Sequence, residues 1–182
     1  MVTVNEIFYC DETFVDFLFK NQNPEKNDYF FLIDFCFHFN KKIWVTPKIY
    51  QKILQKYGKM PAWTYIQKII SPIDPPIEAD EDLPERAELQ LALNWALATG
   101  KVCLLTETDD IVFPKQSSDF SAFINQLKII TSRNVKNFME NEVFKENTEK
   151  LARFSEKLKN ERAKKRLPAV FDITIDFQPG EP

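Results

Sequence analysis

The stretch from Pro84 to Asp110, PERAELQLALNWALATGKVCLLTETDD, decides the fold. Its first half spaces apolar residues for a helix from about Pro84 to Ala98. Ala87, Leu91 and Trp95 lie on one stripe, and Leu89, Ala92, Leu93 and Ala96 on another. An apolar arc that wide predicts a largely buried helix. Gly100 is expected to cap its end, since glycine accepts the backbone bend past a helix C-terminus without a Cβ clash. The run VCLLT, Val102 to Thr106, is then apolar without alternation, the mark of a strand covered on both faces. A buried helix feeding a doubly covered strand is the repeating unit of an α/β fold.

The flanks repeat that unit. Val4 to Cys10 reads as a strand through Ile7, Phe8 and Tyr9, and Asp11-Glu12 ends it before a short helix at Thr13 to Lys20. The polar loop Asn21 to Asp28 offers Asn27 or Asp28 as a cap for a buried helix over Tyr29 to Phe39, although Phe35, Phe37 and Phe39 also alternate as in a strand. Ile43 to Val45 is a brief strand. Thr46-Pro47 opens the next helix, with the Thr46 hydroxyl as expected cap and proline in the first turn, where its missing N–H costs nothing. Ile49, Ile53 and Leu54 form that helix's inner stripe and Gly58 ends it. Met60 to Leu83 is expected to be irregular, extended at Ile66 to Ile70, with a solvated acidic loop, PIDPPIEADEDLP, in its second half. Beyond the opening stretch come a short helix at Asp119 to Leu127, a strand at Ile129-Ile130 and a helical turn at Asn134 to Met139. The sum is a three-layer α/β/α sandwich with a mostly parallel central sheet, spanning residues 1–144. Residues 145–182 form an extension of different character. Lys145 to Arg166 carries nine basic and four acidic side chains on a thin apolar seam, which predicts an exposed basic helix. Phe171, Ile173, Ile175 and Phe177 then alternate with polar residues as a one-sided edge strand.

Composition removes most chemistries. The chain has 182 residues with 3 Gly, 1 His and 3 Cys. Three scattered glycines cannot build a phosphate-cradling loop of the Walker A or dinucleotide type. One histidine excludes multi-histidine zinc sites, and Cys10, Cys36 and Cys103 form neither a CxxC pair nor an even disulfide framework. Cysteines inside strands read as inert core, and His38, four residues after Asp34, reads as its helical partner. Met1 to Glu12 carries three acidic residues where a signal segment would be basic and apolar, and the longest greasy run is half a membrane span. The expectation is a reduced, cytoplasmic protein with no membrane partner.

Carboxylates remain, and their placement is informative. Asp11 follows the first strand, and Asp109 and Asp110 follow the VCLLT strand by three or four residues. In open parallel sheets the binding crevice lies at the carboxyl ends of the strands. Glu85 and Glu88 lie three apart in the first turns of the long helix and point the same way. Four acids converging in one cleft repel one another unless a cation joins them, and Mg²⁺ or Mn²⁺ suits such oxygen donors. Each acid also has a structural reading: Asp11 as a helix cap, Glu85 and Glu88 as complements to a helix dipole, Asp109 and Asp110 as turn residues.

Asp11 after an N-terminal strand, the segment IWVTPKIYQKIL, the stretch PERAELQLALNWALATGKVCLLTETDD and the ending IITSRNVKNFME together resemble the PIN-domain (PilT N-terminus) nucleases, over roughly residues 4 to 140. The resemblance implies a metal-dependent endoribonuclease with an acidic cluster drawn from four places in the chain. Asp11 matches the first acid, Glu85 or Glu88 the helix acid, and Asp109 or Asp110 the acid after the strand; the implied metal ligands are Asp11, Glu88, Asp109 and Asp110. The chain departs from the pattern where the turn after VTP usually offers a glutamate, for here stand Gln51 and Lys52. Lys52 either lowers metal affinity or takes the metal's place as a fixed cation, so a weakened, binding-only member is the alternative.

With a net charge of −3, the surface as a whole does not attract nucleic acid, but the basic helix concentrates Arg153, Lys157, Arg162, Lys164, Lys165 and Arg166. These either contact the phosphates of RNA, single-stranded rather than duplex, or keep a solvated helix soluble. PIN-type toxins resemble the chain in size, which implies an antitoxin or other protein partner, and the strand at 169–177 offers an edge for such pairing or for a homodimer.

Overall fold

A computed structural model describes residues 6–73, 82–108 and 127–143, together with positions 153, 156, 157 and 160. Of the expected helix at Asp119 to Leu127, all but Leu127 lies outside the described residues, and Leu127 opens a strand instead; the expected strand at 169–177 also lies outside them.

Five strands form one sheet: β1 (Glu6–Cys10), β2 (Ile43–Val45), β3 (Ile70–Pro72), β4 (Lys101–Leu105) and β5 (Leu127–Ile130). They lie in the order β3-β2-β1-β4-β5, and every neighbouring pair is parallel. The described helices are α1 (Glu12–Lys20), α2 (Tyr29–His38), α3 (Pro47–Tyr57), α4 (Trp63–Ile66), α5 (Glu85–Leu97) and α6 (Val135–Phe138), the last running into a π-helical turn at Met139–Val143. α1 packs on α3 and α3 on α5, while α2 packs on α6. The arrangement is consistent with a three-layer sandwich.

Covering on both faces is what the central strands require. Val102 to Leu105 are all buried, as are Phe8, Tyr9 and Cys10 beside them on β1. Burying such side chains stabilises by about 25 cal/mol per Å² of apolar surface removed from water, and no charged position interrupts the run from Val102 to Leu105.

The segment 60–73 is more regular than its sequence suggests. It forms α4 and then β3, so the extended piece is Ile70–Pro72, and Ile66 belongs to a helical turn. Proline in β3 is tolerated because that strand is the sheet's edge. The long helix also corrects an expectation. Leu89, Ala92, Leu93 and Ala96 are buried, but on the other stripe Leu91 is exposed and Trp95 is 61% exposed. α5 therefore buries one stripe and shows the other to solvent. It ends at Leu97 with Ala98 as its C-cap residue, and the Gly100 N–H donates to the Ala96 carbonyl at 3.2 Å.

These two stripes are expected to respond differently to truncation. Leu104→Ala, in the doubly covered strand, should lower unfolding free energy by about 2–5 kcal/mol in urea titration. Leu91→Ala should change it by less than about 0.5 kcal/mol. Equal effects would show that the exposed stripe is covered in solution.

Candidate active site at the carboxyl edge of the sheet

The chain runs from β1 outward through β2 to β3, then returns to place β4 on the other side of β1. The strand order thus reverses between β1 and β4, and crevices in open parallel sheets form at such a switch, outside the carboxyl ends. Register fixes what lies there. Cys10 is level with Leu105, and Leu105 with Ile130. Backbone bonds then continue one residue further, from Asp11 N–H to Leu105 O (3.2 Å) and from Thr106 N–H to Ile130 O (3.0 Å). Asp11 and Thr106 therefore meet at the edge.

Asp11 is 1% exposed. Its extended backbone (φ −106°, ψ −178°) makes it the N-cap of α1, with Oδ1 accepting from the N–H groups of Thr13 (3.0 Å) and Phe14 (3.3 Å) and from the Thr13 hydroxyl (2.5 Å). Oδ2 accepts from the Thr106 hydroxyl at 2.6 Å and from Arg86 Nη1 at 3.2 Å. A buried carboxylate needs such a set of donors, because an unpaired charge in the interior costs far more than the bonds return. The capping role is thus real, and it uses Oδ1; Oδ2 is left to the Thr106 hydroxyl and Arg86.

Next along the rim, Thr106 and Thr108 hold the turn after β4. The Glu107 N–H donates to Thr13 Oγ1 (2.9 Å) and the Thr108 N–H to Thr106 Oγ1 (3.2 Å). The Glu107 carboxylate points to the other side, accepting from Ser132 N–H (2.6 Å), Ser132 Oγ (2.8 Å) and Tyr29 Oη (2.5 Å). Tyr29 is buried, with its ring edge-on to Phe14 and Phe17. Glu107 thereby ties the ends of β4 and β5 to α2.

The N-terminus of α5 faces α3. Glu88, 6% exposed, accepts from the Lys48 N–H through Oε2 at 3.1 Å. This corrects the expected cap of α3: the Thr46 hydroxyl is buried with no partner among the described residues, and a carboxylate from another helix satisfies the first turn instead. Glu85 pairs with Lys52 at 2.8 Å, and the same ammonium reaches Glu12 at 3.3 Å. Hydrogen bonding to Glu85 leads the causes that raise the Lys52 pKa; desolvation opposes it, and the bond to Glu12 and the charges of both acids add to the rise. Lys56 lies 3.3 Å from Asp16 and 3.9 Å from Glu12. Glutamates three apart on α5 do point one way, toward α3, where they meet an ammonium and a backbone donor.

Asp11 is joined to the first turn of α5 through Arg86, which stands between Glu85 and Glu88 in sequence, but no group of three Asp, Glu, His or Cys side chains placed to hold a metal ion occurs among the described residues. Asp109 and Asp110 lie outside them. So do Arg162, Lys164, Lys165 and Arg166, whereas Arg153 and Lys157 are helical and exposed. Sequence reasoning passed over Arg86, Thr13, Glu107 and Tyr29. An ion pair between positions 11 and 86 leaves no local pattern, while Thr13 carried a signal in its Asp-x-Thr capping spacing.

A cavity of about 510 Å³ lies away from this edge, lined by residues including Leu97, Lys101, Cys103, Lys128, Phe138 and Glu142. Lys128 and Glu142 pair with each other there, and none of the crevice residues lines it. No helix among the described residues is long and apolar enough to cross a membrane. Comparison of the chain with protein-family models, with curated proteins and with solved structures gives no match.

Burial makes the fold sensitive to alkali. It pushes the Cys36 thiol up to about 12, raises Cys10 well above its usual value with help from the Asp11 charge, and raises Tyr29, to which the Glu107 bond adds. Folded-state pKa values above the unfolded ones give stability that is complete below the unfolded pKa and lost as pH rises. The urea midpoint should therefore fall steadily above about pH 9, where unfolded thiols begin to ionise. A midpoint unchanged between pH 8 and 11 would contradict this.

Proposed function

We propose that the chain is a PIN-like endoribonuclease that hydrolyses RNA phosphodiester bonds in the crevice between β1 and β4, using Mg²⁺ or Mn²⁺. The observation that carries this reading is the position of Asp11: a buried carboxylate, fixed from behind by the start of α1, at the point where strand order reverses. Nothing in cap chemistry alone requires that carboxylate to sit at the switch point.

The residues suit a hard divalent ion in donor type. Mg²⁺ is commonly held by one or two carboxylates, completed by water and substrate phosphate, and Asp11 Oδ2 is an oxygen of that kind. When bound, the ion supplies an activated water and offsets charge on the phosphoryl oxygens. The chain's own residues prepare the place. Thr106 fixes the direction of Oδ2 through its hydroxyl, and Thr13 locks Thr106 in turn at 3.1 Å. Glu107 holds the β4 and β5 ends together so that the edge stays open at one width. Asp109 is the natural source of a further carboxylate, since three residues of chain keep it within about 11 Å of Thr106. Glu88 and Glu85 supply negative field from α5. The exposed Arg153 and Lys157, with Arg162, Lys164, Lys165 and Arg166, are proposed to bind the RNA backbone with an affinity that falls as salt rises.

Asp11→Asn tests this directly. The amide keeps the Oδ1 acceptor that caps α1, so folding is retained, while the charge on the crevice side is removed. Mn²⁺-dependent cleavage of single-stranded RNA should fall more than about a hundredfold. Cleavage that survives the substitution rejects the site.

One observation favours a second reading. Lys52 bridges Glu12 and Glu85, and a fixed ammonium among rim carboxylates suits a nuclease-type fold that binds RNA without turning it over. That reading predicts RNA binding in chelator and no cleavage at millimolar Mn²⁺. Reproducible metal-dependent turnover excludes it.

A further inference from the structure

We propose that Arg86 is the resident cation of the Asp11 site, a positioning residue that leaves Asp11 for a substrate phosphate and thereby opens the carboxylate to a divalent ion. The inference rests on the crevice being a phosphodiester site and adds to it an order of events.

The geometry is asymmetric. Asp11 is buried and held by three bonds to Oδ1, so it does not move. Arg86 contacts Oδ2 through Nη1 alone, at 3.2 Å, and its side chain is 43% exposed. A guanidinium has five donors in a planar fork, and a phosphate can take two of them in parallel. A single bond to a carboxylate is the weaker use of that fork, so an arriving phosphate is the better partner.

Among the described residues nothing else at the rim calls on Arg86. Its neighbour Glu85 is already matched by Lys52, which also serves Glu12. The two sequence-adjacent acids at the start of α1 thus have separate cations, an arginine for Asp11 and a lysine for Glu12. The Lys52 bridge ties α1 to α5 independently of Arg86, so the helix ends stay in place when the guanidinium swings out.

A divalent ion on Oδ2 and a guanidinium a few ångströms away repel each other. The two therefore compete for one oxygen. By linkage, a phosphate that draws Arg86 away raises the affinity for the ion, and the ion raises the affinity for phosphate by the same factor.

The test is a Mn²⁺ titration of the full chain, with free ion read by electron paramagnetic resonance. A single-stranded DNA oligonucleotide serves as the phosphate-backbone probe, present or omitted. Without it, Arg86→Gln should bind Mn²⁺ about tenfold more tightly than wild type, a modest factor because the arginine is half-exposed. Arg86→Lys keeps the charge and should stay close to wild type, which separates lost competition from a disturbed fold. The oligonucleotide should tighten Mn²⁺ binding to wild type by a larger factor than to Arg86→Gln, where only direct ligation by the phosphate remains; an equal factor in both overturns the role of Arg86. Equal Mn²⁺ affinity in wild type and Arg86→Gln, with binding lost in Asp11→Asn, overturns the role of Arg86 and leaves the crevice reading standing. Binding by no variant, or by all including Asp11→Asn, overturns both.

Discussion

A single buried carboxylate organises the described part of this molecule. A charge in the interior must be met by donors on every side, and Asp11 draws those donors from three places: the first turn of α1, the residue after β4, and the first turn of α5. The parallel pairing of β1 and β4 brings Thr106 level with it. The fold thus surrounds one oxygen with donors from the first turn of α1 and leaves the other beside the Thr106 hydroxyl and the half-exposed Arg86. That division between a structural oxygen and an available one makes the position a candidate for chemistry.

Charge matching across the helical layer is the second constraint. α3 and α5 meet through Glu88 on the start of α3, Lys52 on Glu85, and Lys48 on the Leu83 carbonyl. These contacts set the first turns of the two helices side by side. Among the described residues each acid at the rim has its own counter-charge or backbone donor. Any ion entering it must displace something, and the exposed cations are easier to displace than the buried donors.

The fold was legible where burial writes itself into sequence. VCLLT announced a strand covered on both faces, and the polar-to-apolar step at Asn27 and Asp28 announced α2, with Asn27 Oδ1 accepting from the Tyr29 N–H. α4 and β3 were not legible, because three- and four-residue elements carry too few positions for a period to show. The outer stripe of α5 misled for a different reason. Leu91 and Trp95 are apolar but exposed, and periodicity reports which residues could be buried rather than which are. At the site, Asp11 was legible from its place after a strand, and the facing of Glu85 and Glu88 from their spacing. Partners 75 and more residues distant, such as Arg86 for Asp11 and Tyr29 for Glu107, arise from the strand order, and no local pattern encodes them. The missing glutamate after VTP pointed to Lys52, whose ammonium does lie among rim acids, between Glu12 and Glu85.

The most direct measurement of the central claim is paramagnetic broadening of amide signals when substoichiometric Mn²⁺ is added to isotope-labelled protein. The account predicts selective loss of the amides of Thr13, Phe14 and Thr106 to Thr108, which surround the Asp11 carboxylate, while those of β3 persist. Broadening centred elsewhere, or spread evenly over the surface acids, would contradict it.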